Sequence, residues 1–509
     1  MKRMKQTIAP GRRGRGKSKL EPHFSYKKCF QQEPHLCSAE KPRRSQSSLC
    51  VFITDRILTI GFNAPQNANL ASAFFFALTP APSRYFSPWQ GAIFPRPSSV
   101  HPIDKVGYNL KIFAMTYSDL DLPQKGQTVL VGMSGGVDSP LTALLLKQSG
   151  CKVIGVTMSI WDGKIPEVKA KNPDKPIKEA CYGPGEDENI EECKKFCKEN
   201  GIDYYVIDAK EEYSKKVLEY FKSEYRNGRT PNPCIMCNRN IKFGAMLEGI
   251  KNLGIEYDYF CTGHYAKIVR PDQGLFGTDI RPSMIAGASD LSKDQTYFLY
   301  RIPSSTLEKV RFPLAFRKKS EVVELAKKEN LEAAKREESQ DFVGEEYFDM
   351  LFSDKPSIPG DIIDLDGHIL GKHKGIEHYT IGQRRGLGVA VSYPVYVQSI
   401  DPVNNLVVLA PNDALNSDGL IADDWVWPGN VEPPEDYVLE ALVKVRLASK
   451  PVPCKVERYK PGADDTKTYT GQPWKITFDQ PQRAIAPGQS AVLYKDNVII
   501  GGGIISKAI

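Results

Sequence analysis

A chain of 509 residues with 41% hydrophobic and 25% charged residues has an ordinary water-soluble composition and is long enough for two to four domains. It contains no run of eighteen apolar residues, which excludes a conventional membrane-spanning helix, so we expect a cytoplasmic protein without a membrane partner. The net charge of +7 permits an RNA partner without indicating one, and eleven cysteines that lack disulfide-framework spacing favour a reducing compartment.

Residues 1–114 differ in composition from the rest of the chain. The first 56 residues hold fourteen Lys/Arg and four Asp/Glu, and Pro/Ser-rich pieces follow without a sustained helical or strand period. Three interpretations stay open: an over-long gene model whose true start is Met115, a basic targeting segment, or a disordered arm that contacts RNA. We expect no catalytic residue in this segment.

From Met115 onward, strand and helix patterns alternate. The strand-like runs are 128–133, 152–158, 204–208 and 259–262, and the helical runs are 141–148 and 190–199. Such alternation is typical of a parallel sheet with helices on both faces. We therefore predict a doubly wound α/β domain at 115–320.

Beyond residue 355 the pattern changes to short alternating strands separated by Gly, Asp and Asn turns. This pattern is typical of small all-β domains. We predict a central mixed or β domain at 321–430 and a C-terminal β-barrel at 431–509.

The segment Ser134-Gly135-Gly136-Val137-Asp138-Ser139, called the phosphate loop below, lies between a predicted strand and a predicted helix. Its glycines let the backbone approach an anion closely, and a helix N-terminus offers unpaired N–H groups. The loop lacks the Lys-Ser/Thr ending of a Walker A sequence, which fits an enzyme that cleaves ATP between its α and β phosphates. Asp138 is predicted to help hold Mg²⁺. The structural alternative is a glycine-rich turn with an Asp cap.

A second candidate site surrounds the pair Cys234-Ile235-Met236-Cys237, in a loop with two prolines. We predict that a helix begins near Cys237 and that its N-terminus, with Arg239 and Lys242, lowers the pKa of the thiol. The Cys-x-x-Cys spacing alone leaves a metal site, a redox pair and two packed thiols open. The remaining candidates for thiol chemistry are expected to pack as core or structural residues; they are Cys151, Cys193, Cys197, Cys261 and Cys454.

Residues 133–139 resemble the PP-loop of ATP pyrophosphatases, which adenylate an oxygen atom and release pyrophosphate. The cysteine window at 229–244 resembles the tRNA-specific 2-thiouridylase family, and the likeness runs from about residue 115 to 505. Four further segments match in the same order, at 261–266, 293–299, 378–386 and 481–489.

The resemblance implies ATP-dependent 2-thiolation of the wobble uridine of tRNA, by adenylation of the C2 oxygen and sulfur transfer, with AMP and pyrophosphate as by-products. It implies ATP and Mg²⁺ as cofactors, and tRNA with a sulfur-donor protein or inorganic sulfide as partners. We expect a monomer. A small-molecule synthetase of the amidotransferase type and a non-enzymatic RNA-binding protein are the rival interpretations; the β domains disfavour the first, and the intact phosphate loop with its cysteine pair disfavours the second.

The resemblance also assigns roles to individual residues. The catalytic residues would be Cys237 as nucleophile, Cys234 and Asp138. The ATP-binding residues would be Gly132, Met133, Ser134, Gly135, Gly136, Val137, Asp138, Ser139, Met158 and Gly263. The tRNA-binding residues would be Asn232, Pro233, Cys234, His264, Lys293, Asp294, Gln295, Gln383, Arg446 and Leu447. Structural alternatives are a core methionine for Met158, a solvated surface charge for Lys293 and Arg446, and a hydrogen-bonded strand-end residue for His264.

The chain departs from the family pattern at two places. Many relatives carry Asp at the position of Cys234, and many carry a second catalytic cysteine in the stretch that reads Ser339-Gln340-Asp341-Phe342 here. Either Cys234 replaces that second thiol, or Cys234 and Cys237 hold an iron–sulfur cluster of the [4Fe-4S] type with a third ligand. Cys181 is our candidate for this ligand, because it lies in a Gly/Pro loop and not on an apolar face.

Overall fold

The computed structural model describes residues 49–54, 57–62, 116–164, 180–331 and 342–509, which fall into two units, Met1–Tyr108 and Asn109–Ile509. In the first unit, Leu49–Thr54 and Ile57–Phe62 pair as an antiparallel hairpin. The sequence did not predict this hairpin, because two strands of six residues are too short to give a sustained period. The other predictions for 1–114, including a start at Met115, lie outside the described residues.

The second unit begins with a parallel sheet, which confirms the predicted α/β class. Within the described residues five strands lie side by side, in the order Val310–Arg311, Tyr259–Cys261, Thr128–Gly132, Lys152–Ser159 and Asp203–Asp208. The chain moves outward from the central strand Thr128–Gly132 to one edge and later returns to its other side. The strand order therefore reverses beside the central strand, and ligands bind at such a point in open α/β sheets.

Helices cover both faces of this sheet. They include Asp138–Gln148, Glu186–Glu199, Lys210–Tyr213, Glu219–Arg226, Pro233–Cys237, Met246–Asn252, Ser304–Leu307, Lys319–Lys328 and Glu345–Leu351, with π-helical turns at Ser214–Leu218 and Asn238–Ala245. Successive residues of the central strand point to opposite faces. Leu130 packs with Phe243 on one face, and Val129 and Val131 pack with Cys193 on the other. The helices are thus held by two apolar layers.

A small mixed sheet follows the parallel sheet in the chain. Its strands are, in spatial order, Ile369–His373, Gly360–Ile363, Leu406–Ala410 and Tyr396–Asp401. The pairing between Gly360–Ile363 and Leu406–Ala410 is parallel, and the other two pairings are antiparallel. Ile362, Val397 and Val407 form its buried core. This sheet matches the predicted central domain of mixed or β type.

The C-terminal residues form a closed antiparallel barrel. Its strands run in the order Asn416–Val426, Trp474–Arg483, Val452–Arg458, Leu439–Lys444, Ser490–Lys495 and Val498–Ala508. The barrel closes because Asn416–Val426 pairs with both Trp474–Arg483 and Val498–Ala508. Asn416–Val426, which the sequence analysis placed in the central domain, is therefore paired within the barrel. The aromatic core around Trp474 fills the interior.

The barrel sheet continues into the first part of the unit. Val498–Ala508 pairs with Met284–Gly287, which pairs with Ala266–Pro271, which in turn pairs with Tyr117–Asp119. The sequence predicted separate domains and did not predict this shared sheet. Among the described residues, no helix combines the length and the apolarity that crossing a membrane requires.

Candidate active site

The phosphate loop follows the central strand of the parallel sheet and leads into the helix Asp138–Gln148. Gly135 has a φ of +73°, and a Cβ there would lie 2.8 Å from the Asn189 side chain, so only glycine fits without strain. The Ser139 hydroxyl oxygen accepts a hydrogen bond from the Ser134 N–H at 3.1 Å. Ser134 and Gly136 remain exposed. The loop is thus braced from within while its outer backbone stays open to a ligand.

Gly263 lies beside this loop, after the neighbouring strand Tyr259–Cys261. A Cβ at Gly263 would lie 2.7 Å from the Cβ of Asp138, so the position admits no side chain. Met158, near the end of the strand on the other side, packs its half-buried side chain against core residues. The structure therefore brings the predicted ATP residues to one edge of three adjacent strands. The Met158 side chain itself packs as a core methionine, which is the alternative to a role in ATP binding.

The Asp138 carboxylate has partners that the sequence analysis missed. The Lys319 ammonium donates to Asp138 Oδ1 at 2.8 Å and to Oδ2 at 2.9 Å, and the Tyr265 hydroxyl donates to Oδ1 at 3.1 Å. The side chains of Asp138 and Lys319 are only 25% and 14% exposed. A loop without its own lysine is the one sequence signal that could have suggested a cation from another segment.

The predicted tRNA contacts Lys293-Asp294-Gln295 form a turn next to Tyr265. Lys293 is exposed, but the Gln295 side chain accepts a hydrogen bond from the Tyr265 N–H at 2.9 Å. Asp294 accepts hydrogen bonds from the Thr296 N–H and hydroxyl, and burial raises the pKa of its carboxyl. Asp294 and Gln295 thus have intramolecular roles, and Gln295 holds a residue that contacts Asp138.

The cysteine pair lies on a short helix, Pro233–Cys237, called the cysteine helix below. Asn232 caps it, accepting a hydrogen bond from the Ile235 N–H at 3.4 Å, and Pro233 occupies the first helical position. The predicted start near Cys237 is wrong because this cap already begins the helix four residues earlier. Cys237 is therefore one turn inside the helix, away from its free N–H groups.

Burial has a larger effect on the pKa values of the two thiols than the helix terminus has. It raises the pKa of Cys237 to about 12 and that of Cys234 to about 11, and the nearby Lys242 ammonium offsets only part of each increase. The predicted lowering of the Cys237 pKa is wrong, because desolvation of the thiolate outweighs one cation. Both residues are protonated at neutral pH in the free protein.

Cys181 meets these two residues from a separate loop, and the three form what we call the cysteine group. Burial alone would lower the pKa of Lys242, but its electrostatic interaction with all three cysteines raises this pKa above its ordinary value. Cys181 is exposed, and the next residue, Tyr182, donates its N–H to the Phe342 carbonyl at 3.1 Å. Residues 332–341, with the Ser339-Gln340-Asp341 stretch, lie outside the described part. Phe342, which follows them, packs in the same apolar cluster as Cys237.

Five further cysteines of the second unit are core residues, as predicted. Cys151, Cys193, Cys197, Cys261 and Cys454 are each at most 6% exposed. Cys193 and Cys197 pack beneath the parallel sheet, and Cys454 packs inside the barrel. Their environment is apolar, which suits thiols that act as small hydrophobic side chains.

The barrel supports the loop that precedes the cysteine helix. The Thr230 N–H donates to the Pro487 carbonyl at 2.7 Å, and the Gln489 side chain donates to the carbonyls of Thr230 and Pro231 at 3.0 and 3.2 Å. Gly488 has a φ of +91°, and a Cβ there would lie 2.9 Å from the Thr230 backbone. The matching segment at 481–489 therefore has a physical role: it fixes the loop that precedes the cysteine helix.

Comparison with known proteins covers most of the second unit. The family described as "tRNA methyl transferase HUP domain" matches residues 127–344, "tRNA methyl transferase PRC-barrel domain" matches 349–411, and "Aminomethyltransferase beta-barrel domain" matches 417–505. The tRNA-specific 2-thiouridylase MnmA of Endomicrobium trichonymphae is 42% identical over 381 residues, which cover 74% of this chain and 98% of that protein. The chain belongs to the tRNA-specific 2-thiouridylase family.

Other thiouridylases give the same result. The protein of Carboxydothermus hydrogenoformans is 42% identical over 385 residues, covering 74% of this chain and 97% of the relative. That of Chloroflexus aurantiacus is 37% identical over 384 residues, covering 74% and 98%. Among solved structures, a 4-thiouridine synthetase–RNA complex with bound ATP superposes with a TM-score of 0.27 at 16% identity, over 42% of this chain and 44% of that one. This last likeness is too low to support an argument.

The remaining residues that the thiouridylase resemblance assigns to tRNA lie in different surroundings. His264 is half-buried, its Nδ1 lies 2.7 Å from the Thr262 hydroxyl, and burial near Lys242 lowers its pKa to about 3, so it is a neutral strand-end histidine at neutral pH. Gln383 braces a turn by accepting from the Thr380 N–H and donating to the Arg385 carbonyl. Arg384 and Arg385 are exposed there.

Arg446 and Leu447 lie on the barrel. The Arg446 guanidinium donates to the Arg483 and Ala484 carbonyls at 2.9 and 2.6 Å, and burial lowers its pKa. Leu447 is 40% exposed. Arg446 is thus tied to the backbone of the barrel and is not a freely solvated charge.

In this thiouridylase, Gln489→Ala is expected to lower kcat about tenfold, because the loop before the cysteine helix loses two hydrogen bonds that position it. Gly488→Ala should cost about 1–3 kcal/mol of stability, since alanine is strained at positive φ. Steady-state thiolation and urea unfolding measure the two effects. Gln480→Ala, at an exposed position just before this segment, is the control. A Gln489→Ala enzyme with normal kcat contradicts the supporting role.

Alkylation of Cys237 by iodoacetamide is expected to accelerate about tenfold per pH unit between about pH 7 and pH 10. Only the thiolate reacts, and a pKa of about 12 keeps the thiol protonated throughout this range. Peptide-level mass spectrometry gives the rate at each pH, and circular dichroism checks that the fold survives. An unstructured cysteine peptide, whose rate levels off near pH 9, is the control. A plateau for Cys237 below pH 9 would show that burial does not dominate.

Proposed function

We propose that this chain catalyses ATP-dependent 2-thiolation of the wobble uridine of tRNA. The observation that carries the proposal is the convergence of two sites at one edge of the sheet. Gly263 packs against Asp138 in the phosphate loop, and the ring of the adjacent His264 lies 6.0 Å from the ring of Phe243, which follows Lys242 in the turn that continues the cysteine helix. A base that reaches the cysteine helix would therefore lie close to the phosphates of a nucleotide in the loop.

The first step is adenylation of the base. The C2 oxygen of a flipped-out uridine attacks the α-phosphorus of ATP, the bond from this phosphorus to the bridging oxygen breaks, and pyrophosphate leaves while N3 gives up its proton. The N–H groups at the start of the helix Asp138–Gln148 and the Ser134 hydroxyl would hold phosphate oxygens. The product is an O-adenylated base, whose AMP is a better leaving group than the original oxygen.

Asp138 would hold Mg²⁺ at this loop. A partly exposed carboxylate at the end of a phosphate loop has the hard oxygen donors that Mg²⁺ prefers, so the residue fits the ion. Bound there, Mg²⁺ would supply positive charge to the phosphates. Asp138 itself fixes the start of the helix and orients Lys319 and Tyr265.

Sulfur transfer follows on the cysteine helix. With a persulfide on Cys237, the terminal sulfur attacks C2 and the C–O bond to AMP breaks. The Cys234 thiol then gives up its proton and attacks Cys237 Sγ, which breaks the sulfur–sulfur bond, leaves sulfur on C2 and forms a Cys234–Cys237 disulfide. N3 regains its proton as 2-thiouridine leaves. An external thiol reduces the disulfide, and a sulfur-donor protein reloads Cys237.

The cysteine group also fits the alternative, a [4Fe-4S] cluster held by Cys181, Cys234 and Cys237. Cys181 lies on a separate loop within electrostatic range of the two thiols of the cysteine helix, and thiolates are the ligands that such clusters take. The bound cluster would supply an iron site for hydrosulfide. In the two-thiol mechanism Cys234 replaces the second cysteine that is typical of the family, and in the cluster mechanism Cys181 replaces it. Iron and sulfide analysis after anaerobic purification distinguishes the two.

The tRNA would approach over the exposed Arg384-Arg385 turn and the barrel surface near Leu447. Arginines on a protruding turn suit phosphate contacts, which position an RNA without reading its sequence. The predicted contacts of Asn232, Pro233, His264 and Lys293 remain part of the proposal. So does the monomeric state. For the domains we propose 115–320, 321–415 and 416–509, which moves the predicted boundary from 430 to 415 because Asn416–Val426 pairs with two barrel strands.

A reconstituted reaction tests the function. Purified protein, ATP, Mg²⁺ and a tRNA transcript should give 2-thiouridine, AMP and pyrophosphate in equal amounts, measured by nucleoside mass spectrometry and phosphate assays. The sulfur source is a protein that donates persulfide sulfur for the two-thiol mechanism, and sodium sulfide for the cluster mechanism. A transcript with cytidine at the wobble position is the matched control and should give none. Product at another nucleoside, or no product with any sulfur source, would contradict the proposal.

A further inference from the structure

The phosphate loop is joined to a distant helix by the Asp138–Lys319 ion pair, with Nζ–Oδ distances of 2.8 and 2.9 Å. The loop itself carries no lysine. We propose that Lys319 is the cation of the nucleotide site, which supplies from another segment the charge that stabilises departing pyrophosphate. This inference rests on the proposed function, because it assigns a residue to the adenylation step.

The position of Lys319 is not explained by the stability of its own helix. Lys319 is the first residue of Lys319–Lys328, where the positive end of the helix dipole disfavours a cation. The side chain is only 14% exposed, and an amphipathic lysine normally keeps its ammonium in water. The Lys319 ammonium is therefore held at a site that both the helix dipole and its own hydration disfavour. Such a position indicates that negative charge accumulates nearby.

Neighbouring groups fix this side chain toward the loop. The Asp290 carboxylate accepts the Lys319 N–H at 2.9 Å and so anchors the backbone at the helix start. The Lys319 ammonium lies 5.5 Å from the centre of the Tyr265 ring, and Tyr265 also donates to Asp138. Val322 on the same helix packs with Leu141 of the loop helix. The two helix starts are therefore held side by side with the ammonium between them.

This arrangement suits the adenylation step. Before ATP binds, Lys319 neutralises Asp138, which would otherwise repel a triphosphate. When the bond between the α-phosphorus and the bridging oxygen breaks, the departing pyrophosphate gains a negative charge on that oxygen. A fixed ammonium a short side-chain rotation away stabilises this charge more than it stabilises intact ATP. Lys319 should therefore act on kcat and on pyrophosphate affinity more than on KM for ATP.

Lys319→Met is expected to reduce tRNA-dependent ATP–pyrophosphate exchange about 100-fold or more. It should weaken inhibition by inorganic pyrophosphate at least about tenfold, while inhibition by AMP changes less than about twofold, since AMP lacks the departing group. Lys319→Arg, which keeps the charge, should retain pyrophosphate inhibition. Lys318→Met, at the exposed neighbouring position, is the matched control and should behave as the unmodified enzyme.

Normal exchange by a folded Lys319→Met enzyme overturns the proposal, as does an equal loss of AMP and pyrophosphate inhibition, which indicates a structural role only. If that variant does not fold, the rate at which a reagent acylates Lys319 in the unmodified protein is measured instead. Slower acylation with pyrophosphate but not with AMP supports the role, and an unchanged rate with both contradicts it. A failure of the proposed function would be seen separately, because the unmodified enzyme would then form no 2-thiouridine.

Discussion

Replacing Cys237 with serine is expected to abolish 2-thiouridine formation while tRNA-dependent ATP–pyrophosphate exchange continues. Adenylation needs the phosphate loop but no thiol, whereas sulfur transfer needs a sulfur carrier that serine cannot provide. Nucleoside mass spectrometry measures the first activity, and incorporation of labelled pyrophosphate into ATP measures the second. Cys197→Ala, at a buried thiol in the same unit, is the matched control; it should cost on the order of 1 kcal/mol of stability and leave both activities.

The other members of the cysteine group separate the two sulfur mechanisms. Cys234→Ser should be nearly as damaging as Cys237→Ser, because both mechanisms require a thiolate at this position. Cys181→Ala should remove bound iron and activity if the three cysteines hold a cluster, and should leave activity unchanged in the two-thiol mechanism. Near-normal turnover by Cys234→Ser would contradict both mechanisms, and loss of exchange in Cys237→Ser would contradict the division of steps.

Asp138→Asn is expected to abolish both thiolation and ATP–pyrophosphate exchange, by about 1000-fold or more, while the fold remains intact. The carboxylate is the predicted Mg²⁺ ligand, and loss of metal charge from a phosphate site costs several kcal/mol of transition-state stabilisation. The amide keeps the shape of the side chain beside Gly263, so packing of the loop is preserved. Exchange kinetics and thermal unfolding measure the two parts of this prediction.

Asp187→Asn is the matched control for this variant, since Asp187 is an exposed acid in the first turn of the helix Glu186–Glu199. It should leave both activities unchanged. A second control is the alkylation rate of Cys237, which Asp138→Asn should not alter, because the cysteine helix lies outside the loop. Full exchange activity in Asp138→Asn would contradict the metal role and leave Lys319 as the charged group that we propose for this step.

The thiols show where prediction from sequence reaches its limit. A cysteine near a helix start with basic neighbours ordinarily has a lowered pKa, yet burial raises that of Cys237 to about 12. Lys242 and Arg239 can be read from the sequence as neighbours of Cys237. The apolar groups that surround its sulfur cannot, because they come from distant segments. Tyr213, Ile160 and Val217 come from other parts of the chain and exclude the water that would stabilise a thiolate.

What the sequence by itself determined is local chemistry: the glycines and Asp138 of the phosphate loop, the Cys234–Cys237 spacing, and the strand–helix alternation that leads to a parallel sheet. These features depend on residues a few positions apart, whose geometry follows from backbone conformation alone. Only the tertiary structure decided which distant groups meet them. Lys319 reaches Asp138 across 181 residues, and Asn416–Val426 joins the barrel instead of the central domain. Such pairings follow from the order in which strands add to a sheet, and strand order is set by the packing of the whole chain and not by any short segment.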